Sequence, residues 1–119
     1  MAWTSKSTIM SGQSVAGTEV ESNAVTLSPG ELAHVQVTAD FPVTPTDNLI
    51  IRVYTTLDDT SETWDNTSVY SFSLSKAIDP GAVTFIISQV YRFKVVLIRD
   101  GSTDTITCSV FYRKDGVSL

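Results

Sequence analysis

Apolar and polar residues alternate with a period of two along most of this chain, and this alternation restricts the possible folds more than any other feature. β-branched and aromatic residues, which suit a pleated strand, dominate the alternating runs. No segment shows a helical period, so we predict an all-β fold. The side chains predicted to face the core on three strands are Ala33, Val35, Val37, Ala39 and Phe41; Leu49, Ile51, Val53, Thr55 and Leu57; and Tyr70, Phe72 and Leu74.

Turn-forming sequences separate the alternating runs. Residues 28–31, Ser-Pro-Gly-Glu, predict a type II turn in which proline presets φ and Gly30 supplies a positive φ. Residues 41–47 contain two prolines and cannot form a central strand, and residues 79–81 predict another turn. About seven strands fit between residues 23 and 113. This spacing predicts an antiparallel β-sandwich or jelly roll of about seven to eight strands, with an extended N-terminal arm.

The run VYRFKVVLIRDGSTDTITCSVFYRK, residues 90–114, predicts a β-hairpin. Asp100-Gly101 is a dipeptide that a type I′ turn favours, because both central residues need a positive φ. Cys108 would then be a small buried hydrophobic residue rather than a reactive thiol. Pairing across a two-residue turn would place six side chains on one face, in the pairs Val95 with Ile106, Phe93 with Cys108, and Tyr91 with Val110.

The other face of the predicted hairpin would carry a modest apolar patch that a loop, the N-terminal arm or another chain covers. Residues 1–22 are rich in Ser, Thr and Gly, so we predict an extended arm there and a β-sandwich domain at 23–119. The two large apolar residues of the arm, Trp3 and Ile9, either anchor it on a neighbouring subunit, pack against the parent domain or stay loose. Removal of the arm should therefore leave the fold intact and weaken assembly. The candidate partner contacts are Trp3, Ile9, Val96, Ile98 and Phe111.

The charge balance of the 119-residue chain is acidic, with a formal net charge of −5 and a pI of about 4.5. This balance disfavours binding to nucleic acid or to an anionic membrane, since both need clustered Lys and Arg. The single cysteine and single histidine, Cys108 and His34, cannot form an internal disulfide or a zinc site of several Cys and His ligands. We also expect no membrane partner and synthesis in a cytoplasm, because neither a long apolar run nor a signal-peptide pattern is present.

Residues 57–67 form an acidic segment between two predicted strands. We favour a solvated loop, because Asp, Asn, Ser and Thr side chains bond nearby backbone groups in turns. The EF-hand pattern fails because the segment has no glycine, but an irregular calcium site or a sugar site around the tryptophan stays open. The candidate ligand residues are Asp58, Asp59, Glu62, Trp64 and Asp65.

We predict no catalytic, metal or cofactor-binding residues. The sequence lacks the GxSxG, HExxH, P-loop and GxGxxG motifs. The alternation places His34 on the solvent face of its strand, with no residue in an obvious position to orient it as a base. The sequence therefore favours a protein that is not an enzyme and that needs no cofactor.

The segments DNLIIRVYTTLDD and TWDNTSVYSFSL, followed by VTFIISQVYRFKVVLIRDGSTDTITCSVFYRK, resemble small β-sandwich proteins encoded among the virion genes of tailed bacteriophages. The resemblance covers residues 23–114 and rests on the strand rhythm, the Thr-Trp-Asp loop and the DGSTDTIT segment. It implies a virion structural protein, first of all a capsid decoration or cement protein that forms a homo-oligomer on the symmetric shell and binds the major capsid protein. A tail, head-tail adaptor or fibre-associated protein is the alternative within this class. A carbohydrate- or ligand-binding module is the alternative outside it.

Overall fold

The computed structural model describes residues 5–58 and 63–116, and every regular element within them is a β-strand. This part of the chain contains no helix long and apolar enough to cross a membrane. The predicted all-β class is confirmed. The nine strands are β1 (Ser7–Val15), β2 (Val20–Glu21), β3 (Val25–Thr26), β4 (Glu31–Asp40), β5 (Leu49–Thr56), β6 (Tyr70–Leu74), β7 (Gly81–Ser88), β8 (Arg92–Arg99) and β9 (Ile106–Gly116).

The strands form two antiparallel sheets that pack as a sandwich. The first sheet has the order β1-β9-β4-β7, and the second has the order β2-β8-β5-β6, with β3 also paired to β8. Strand pairs β1–β9, β2/β3–β8, β4–β7 and β5–β6 make one long antiparallel ribbon. The ribbon is rolled so that β9 also meets β4 and β8 also meets β5. This is the strand order of an eight-stranded jelly roll, with β2 and β3 as one interrupted strand.

The alternation predicted most of the core correctly. On β4, the side chains from Ala33 to Ala39 that were predicted to point inward are at most 1% exposed, and Phe41 is 6% exposed. On β5, the predicted set is buried as far as Thr55, but Leu57 is 88% exposed. The prediction for Leu57 is wrong because β5 ends at Thr56, and the chain leaves the pleat before the next inward position.

The type II turn before β4 is confirmed. Gly30 has a φ of 79°, which is the left-handed value that the third residue of this turn requires. The Glu31 N–H donates to the Ser28 carbonyl oxygen at 2.9 Å, and the Ser28 N–H donates to Glu31 Oε1 at 3.0 Å. The turn therefore closes on itself and sets the direction in which β4 enters the first sheet.

The predicted hairpin at 90–114 is wrong. β8 belongs to the second sheet and β9 to the first, and the loop between them crosses from one sheet to the other. Five of the six predicted side chains are nevertheless in the core, while Tyr91 is 37% exposed. Apolar residues on two strands can lie side by side on one face of a hairpin, or they can meet across the interior of two packed sheets. The alternation is the same in both cases, so it does not distinguish the two arrangements.

A cluster of carboxylates, which we call the Asp47–Asp104 cluster, holds the β8–β9 loop against the β4–β5 loop. Asp104 Oδ2 accepts the backbone N–H groups of Thr46 at 2.7 Å and Asp47 at 2.8 Å. In return, Asp47 Oδ2 accepts those of Thr103 at 3.0 Å and Asp104 at 2.8 Å. A Cβ at Gly101 would stand 1.9 Å from Asp47 Oδ1. The glycine of the DG pair is thus needed for close approach to this cluster.

The predicted arm is also incorrect over the residues that the structure describes. β1 forms one edge of the first sheet and pairs with β9, and β2 pairs with β8. Met10 and Val15 are buried in the core, and Ile9 packs against it. The alternative in which Ile9 packs against the parent domain therefore holds, whereas Trp3 lies outside the described residues. Sequence composition missed these strands because Ser, Thr and Gly fill their solvent-facing positions.

Cys108 is expected to resist alkylation in the native protein. The residue is 1% exposed, and burial, with the negative charge of Asp40 adding to it, raises the pKa of the thiol to about 12. Iodoacetamide at about pH 8 should leave the folded chain unmodified and label it once in denaturant. Ser102→Cys, on an exposed loop, is the control. Labelling of native wild-type protein as fast as that control would contradict the buried position.

Candidate protein-binding surface

The described parts of the acidic segment, residues 57–58 and 63–67, are bonded to the second sheet. The Asp65 N–H donates to the Thr55 carbonyl oxygen at 3.0 Å, and the Thr55 hydroxyl donates to Asp65 Oδ2 at 2.8 Å. Arg92 Nη1 donates to the Asp58 carbonyl oxygen at 2.8 Å. The Asp65 carboxylate and the main chain of Asp58 therefore fasten the loop to β5 and β8.

Trp64 covers the outer face of the second sheet. The Lys94 ammonium lies 4.7 Å from the centre of a Trp64 ring, and the Arg92 guanidinium carbon lies 5.9 Å from it. Cation–π contact with these two side chains occupies ring surface that a sugar platform would need free. Asp59 and Glu62 lie outside the described residues, and the described part contains no group of three or more His, Cys, Asp or Glu placed to hold a metal.

The predicted apolar patch is not one surface. Val96 and Ile98 lie on the outer face of the second sheet, whereas Phe111 lies on the outer face of the first. Val96 is 1% exposed and lines a shallow cleft with Trp64. The ammonium of Lys6 lies 4.6 Å from the ring centre of Phe111. The prediction is wrong for the same reason as the hairpin: the patch assumed that β8 and β9 share a sheet.

The sandwich has four edge strands, and three of them carry features that discourage pairing with another chain. β1 is broken by two register shifts, one between Thr8 and Met10 and one between Met10 and Gln13, and the second contains Gly12, whose φ is 56°. β2 and β3 are two residues each, and Glu21 adds a charge. β6 is five residues long. Bulges, charges and short lengths are the devices by which natural sheets protect their edges.

β7 is the exception among the four. Its eight residues, Gly81–Ser88, pair with β4 in one unbroken register. The strand contains no charged residue and no proline, and Ile86 on its outer face is 49% exposed. In an antiparallel edge strand, alternate residues direct their N–H and C=O groups away from the sheet. β7 therefore offers a regular row of free hydrogen-bonding groups beside apolar side chains.

An aromatic strip continues this edge across the open side of the sandwich. Tyr70 stacks on Phe72 with ring centres 5.9 Å apart, and Phe72 meets Phe85 of β7 at 4.9 Å. Tyr70 is 42% exposed, and Val69 beside it is 49% exposed. We call the β7 edge, Ile86 and this strip the β7 surface. Nothing in the sequence of β7 indicates that this strand lies at an edge.

A groove of about 700 Å³ lies at the end of the sandwich beside the β3–β4 and β7–β8 loops. Leu27, Pro29 and Val90 contribute apolar walls, and Gln89 adopts a φ of 61° in the left-handed region. Glu31 also lines it, but its carboxylate accepts the Ser28 N–H and lies 3.5 Å from Lys114 Nζ. The groove thus offers apolar surface rather than a reactive group, and the β7 surface remains the stronger candidate for binding.

Comparison with known proteins adds no identification: no family model and no curated protein matches this chain. The β7 surface is therefore interpreted from its own chemistry. Strand edges recognise other polypeptides through main-chain hydrogen bonds, and nearby side-chain contacts provide selectivity. The arrangement is suited to holding another protein chain.

Proposed function

We propose that this protein is a non-catalytic structural subunit that binds other protein subunits through the β7 surface. The observation that carries the proposal is the β7 edge itself: eight residues, one unbroken register and no charge. A long, regular and uncharged edge is a site of association unless another chain covers it. A partner chain that pairs with β7 would cover this edge, which is why we assign binding to it.

We infer further that the subunit is a virion accessory protein, in the first place a capsid decoration or cement protein. The resemblance to small β-sandwich proteins of tailed phages supports this assignment. A jelly roll supplies a rigid body without cofactors, and symmetric shells multiply individually weak contacts into strong attachment. The major capsid protein is the expected binding partner on such a shell.

The test is to purify particles of the phage that carries this gene and to measure the protein by quantitative mass spectrometry. We expect copies in a fixed ratio to the major capsid protein, and we expect them to stay with heads when heads and tails are separated. Recovery with the tails would place the protein in the alternative structural class. Absence from purified particles would overturn the assignment to the virion.

A matched pair of variants tests the surface. Ile86→Lys places a charge on the β7 edge, and Thr8→Lys places the same charge on the exposed outer face of β1, at the opposite edge of the same sheet. Particle incorporation should fall about tenfold or more for Ile86→Lys, because a lysine on an edge strand disfavours pairing with another chain. Thr8→Lys should incorporate normally. Equal incorporation of both variants would contradict a role for β7.

A further inference from the structure

We propose that the chain that covers β7 is a second copy of this protein, paired antiparallel to it about a two-fold axis. Two four-stranded sheets would then join into one continuous eight-stranded sheet. This inference rests on the proposed function only in taking the β7 surface to be a protein-binding site. In a two-fold dimer the β7 edge of each copy is covered by the other copy, so neither edge is left to pair with a third molecule.

Charge is the first argument for self-pairing. About a two-fold axis, each side chain near the axis lies close to its own counterpart, so a charged edge repels itself. The chain as a whole has 8 basic and 13 acidic residues, yet β7 has none of either. Self-pairing through β2 would instead bring Glu21 near its counterpart. β1 and β6 also lack charged residues, but register shifts break β1 and β6 has only five residues, so β7 is the longest uncharged edge with an unbroken register.

The second argument is the face of the sheet to which each side chain points. Residues opposite one another in a sheet point to the same face, so the two copies must pair inward positions with inward positions. With Phe85 on the two-fold axis, Val83 lies opposite Ile87 of the other copy, and Thr84 lies opposite Ile86. Phe85 and Ile87 are buried, and Val83 packs against the core. Inward apolar residues therefore meet each other across the junction, as they do between β7 and β4.

The dimensions of the surface indicate how tight the contact is. A strand of eight residues is about 26 Å long, and the two sheets of a sandwich lie about 10 Å apart. The β7 edge with the aromatic strip then buries on the order of 300 Å² per copy, below the usual size of a permanent interface. We expect a concentration-dependent dimer with a dissociation constant on the order of micromolar or weaker. Attachment to a shell would strengthen it through avidity.

Sedimentation equilibrium of the full chain across micromolar to millimolar concentrations tests the inference. Wild-type protein and Thr8→Lys should show the same monomer–dimer equilibrium, and Ile86→Lys should raise the dissociation constant about tenfold or more. Circular dichroism must show that both variants keep the β fold. A strictly monomeric wild type, open-ended aggregates, or an Ile86→Lys variant that dimerises normally would overturn the proposal.

Cross-linking tests the register. The pair Thr84→Cys and Ile86→Cys in one chain should give a covalent dimer on oxidation, because opposed Cα atoms about 4.5–5.5 Å apart lie within disulfide range. The pair Thr84→Cys and Ser88→Cys is the control, because those positions are not opposite one another in this register. Buried Cys108 does not compete. Dimers from the control alone would overturn the register, and no cross-linking from either pair would overturn the self-pairing.

The virion role and the two-fold contact would be refuted by different results. If the wild type stays monomeric but is incorporated into particles, the second copy is refuted and the virion role stands with the capsid protein as the partner at β7. If the protein dimerises through β7 but is absent from particles, the two-fold contact stands and the virion role is refuted.

Discussion

A chain that begins at residue 23 is expected to lose cooperative folding. Such a truncation removes β1 and β2 and strips the partner from one side of β9. It also removes Met10 and Val15, which are 7% and 0% exposed in the core. This expectation replaces the one drawn from composition, in which residues 1–22 were a dispensable arm.

The size of the expected loss in the free energy of unfolding follows from the side chains and strand pairing that the truncation removes. Loss of two buried apolar side chains costs roughly 2–5 kcal/mol for each large one, and the unpaired backbone of β9 adds to this. A domain of this size is stable by only about 5–15 kcal/mol. We therefore expect the truncated chain to show no sharp urea transition by circular dichroism, together with exposure of apolar surface that binds a hydrophobic dye.

Point variants in the full chain test whether stability is lost because core packing is lost, independently of the shorter chain length. Val15→Asp buries a carboxylate in the core and should reproduce much of the loss, whereas Ser14→Asp places the same charge at an exposed neighbouring position. Urea denaturation of the three proteins gives the comparison. A truncated chain that unfolds at the same urea midpoint as the full chain would restore the interpretation of residues 1–22 as an arm.

Asp104→Asn is expected to lower the melting temperature at neutral pH by about 5 °C or more. The side chain is 5% exposed, and its carboxylate accepts two backbone N–H groups from the β4–β5 loop. An uncharged amide oxygen is a weaker acceptor than a carboxylate oxygen, so its hydrogen bonds to these two N–H groups are weaker. The loops at this end of the sandwich would then separate more easily.

The same cluster predicts a loss of stability in acid. The backbone N–H of Asp47 lowers the pKa of Asp104, the backbone N–H of Asp104 lowers the pKa of Asp47, and burial opposes both effects. A carboxyl whose pKa is lowered by folding stabilises the protein fully above its ordinary pKa of 3.8. That contribution is lost as the pH falls through the lowered value. The melting temperature of the wild type should therefore drop below about pH 4.

Thermal melts at neutral pH and at about pH 3 check both expectations. Asp104→Asn should melt below the wild type at neutral pH and should lose less on acidification, because one of the titrating groups is gone. Asp40→Asn, at an exposed position on the outer face of the first sheet, is the control and should follow the wild type. An Asp104→Asn variant with an unchanged melting temperature at neutral pH would show that the cluster does not stabilise the fold.

The sequence by itself determined most of the residues that face inward and the position of one turn. Alternation with a period of two follows from the pleat, which is local, so Val35, Val37, Ile51 and Val53 could be assigned to the core without any knowledge of their neighbours. The turn at Gly30 could be predicted for the same reason, because its φ depends only on residues 28–31.

Only the tertiary structure decided which strands are neighbours. Hydrogen bonds between strands join residues far apart in the chain, and a core-facing pattern is identical whether the partner is beside it in one sheet or opposite it in the other. That is why β8 and β9 were assigned to one hairpin and why β1 was taken for an arm. The edge position of β7 follows from the same long-range pairing. Its uncharged sequence was visible from the start, but the charges of a strand bear on assembly only when the strand has a free edge.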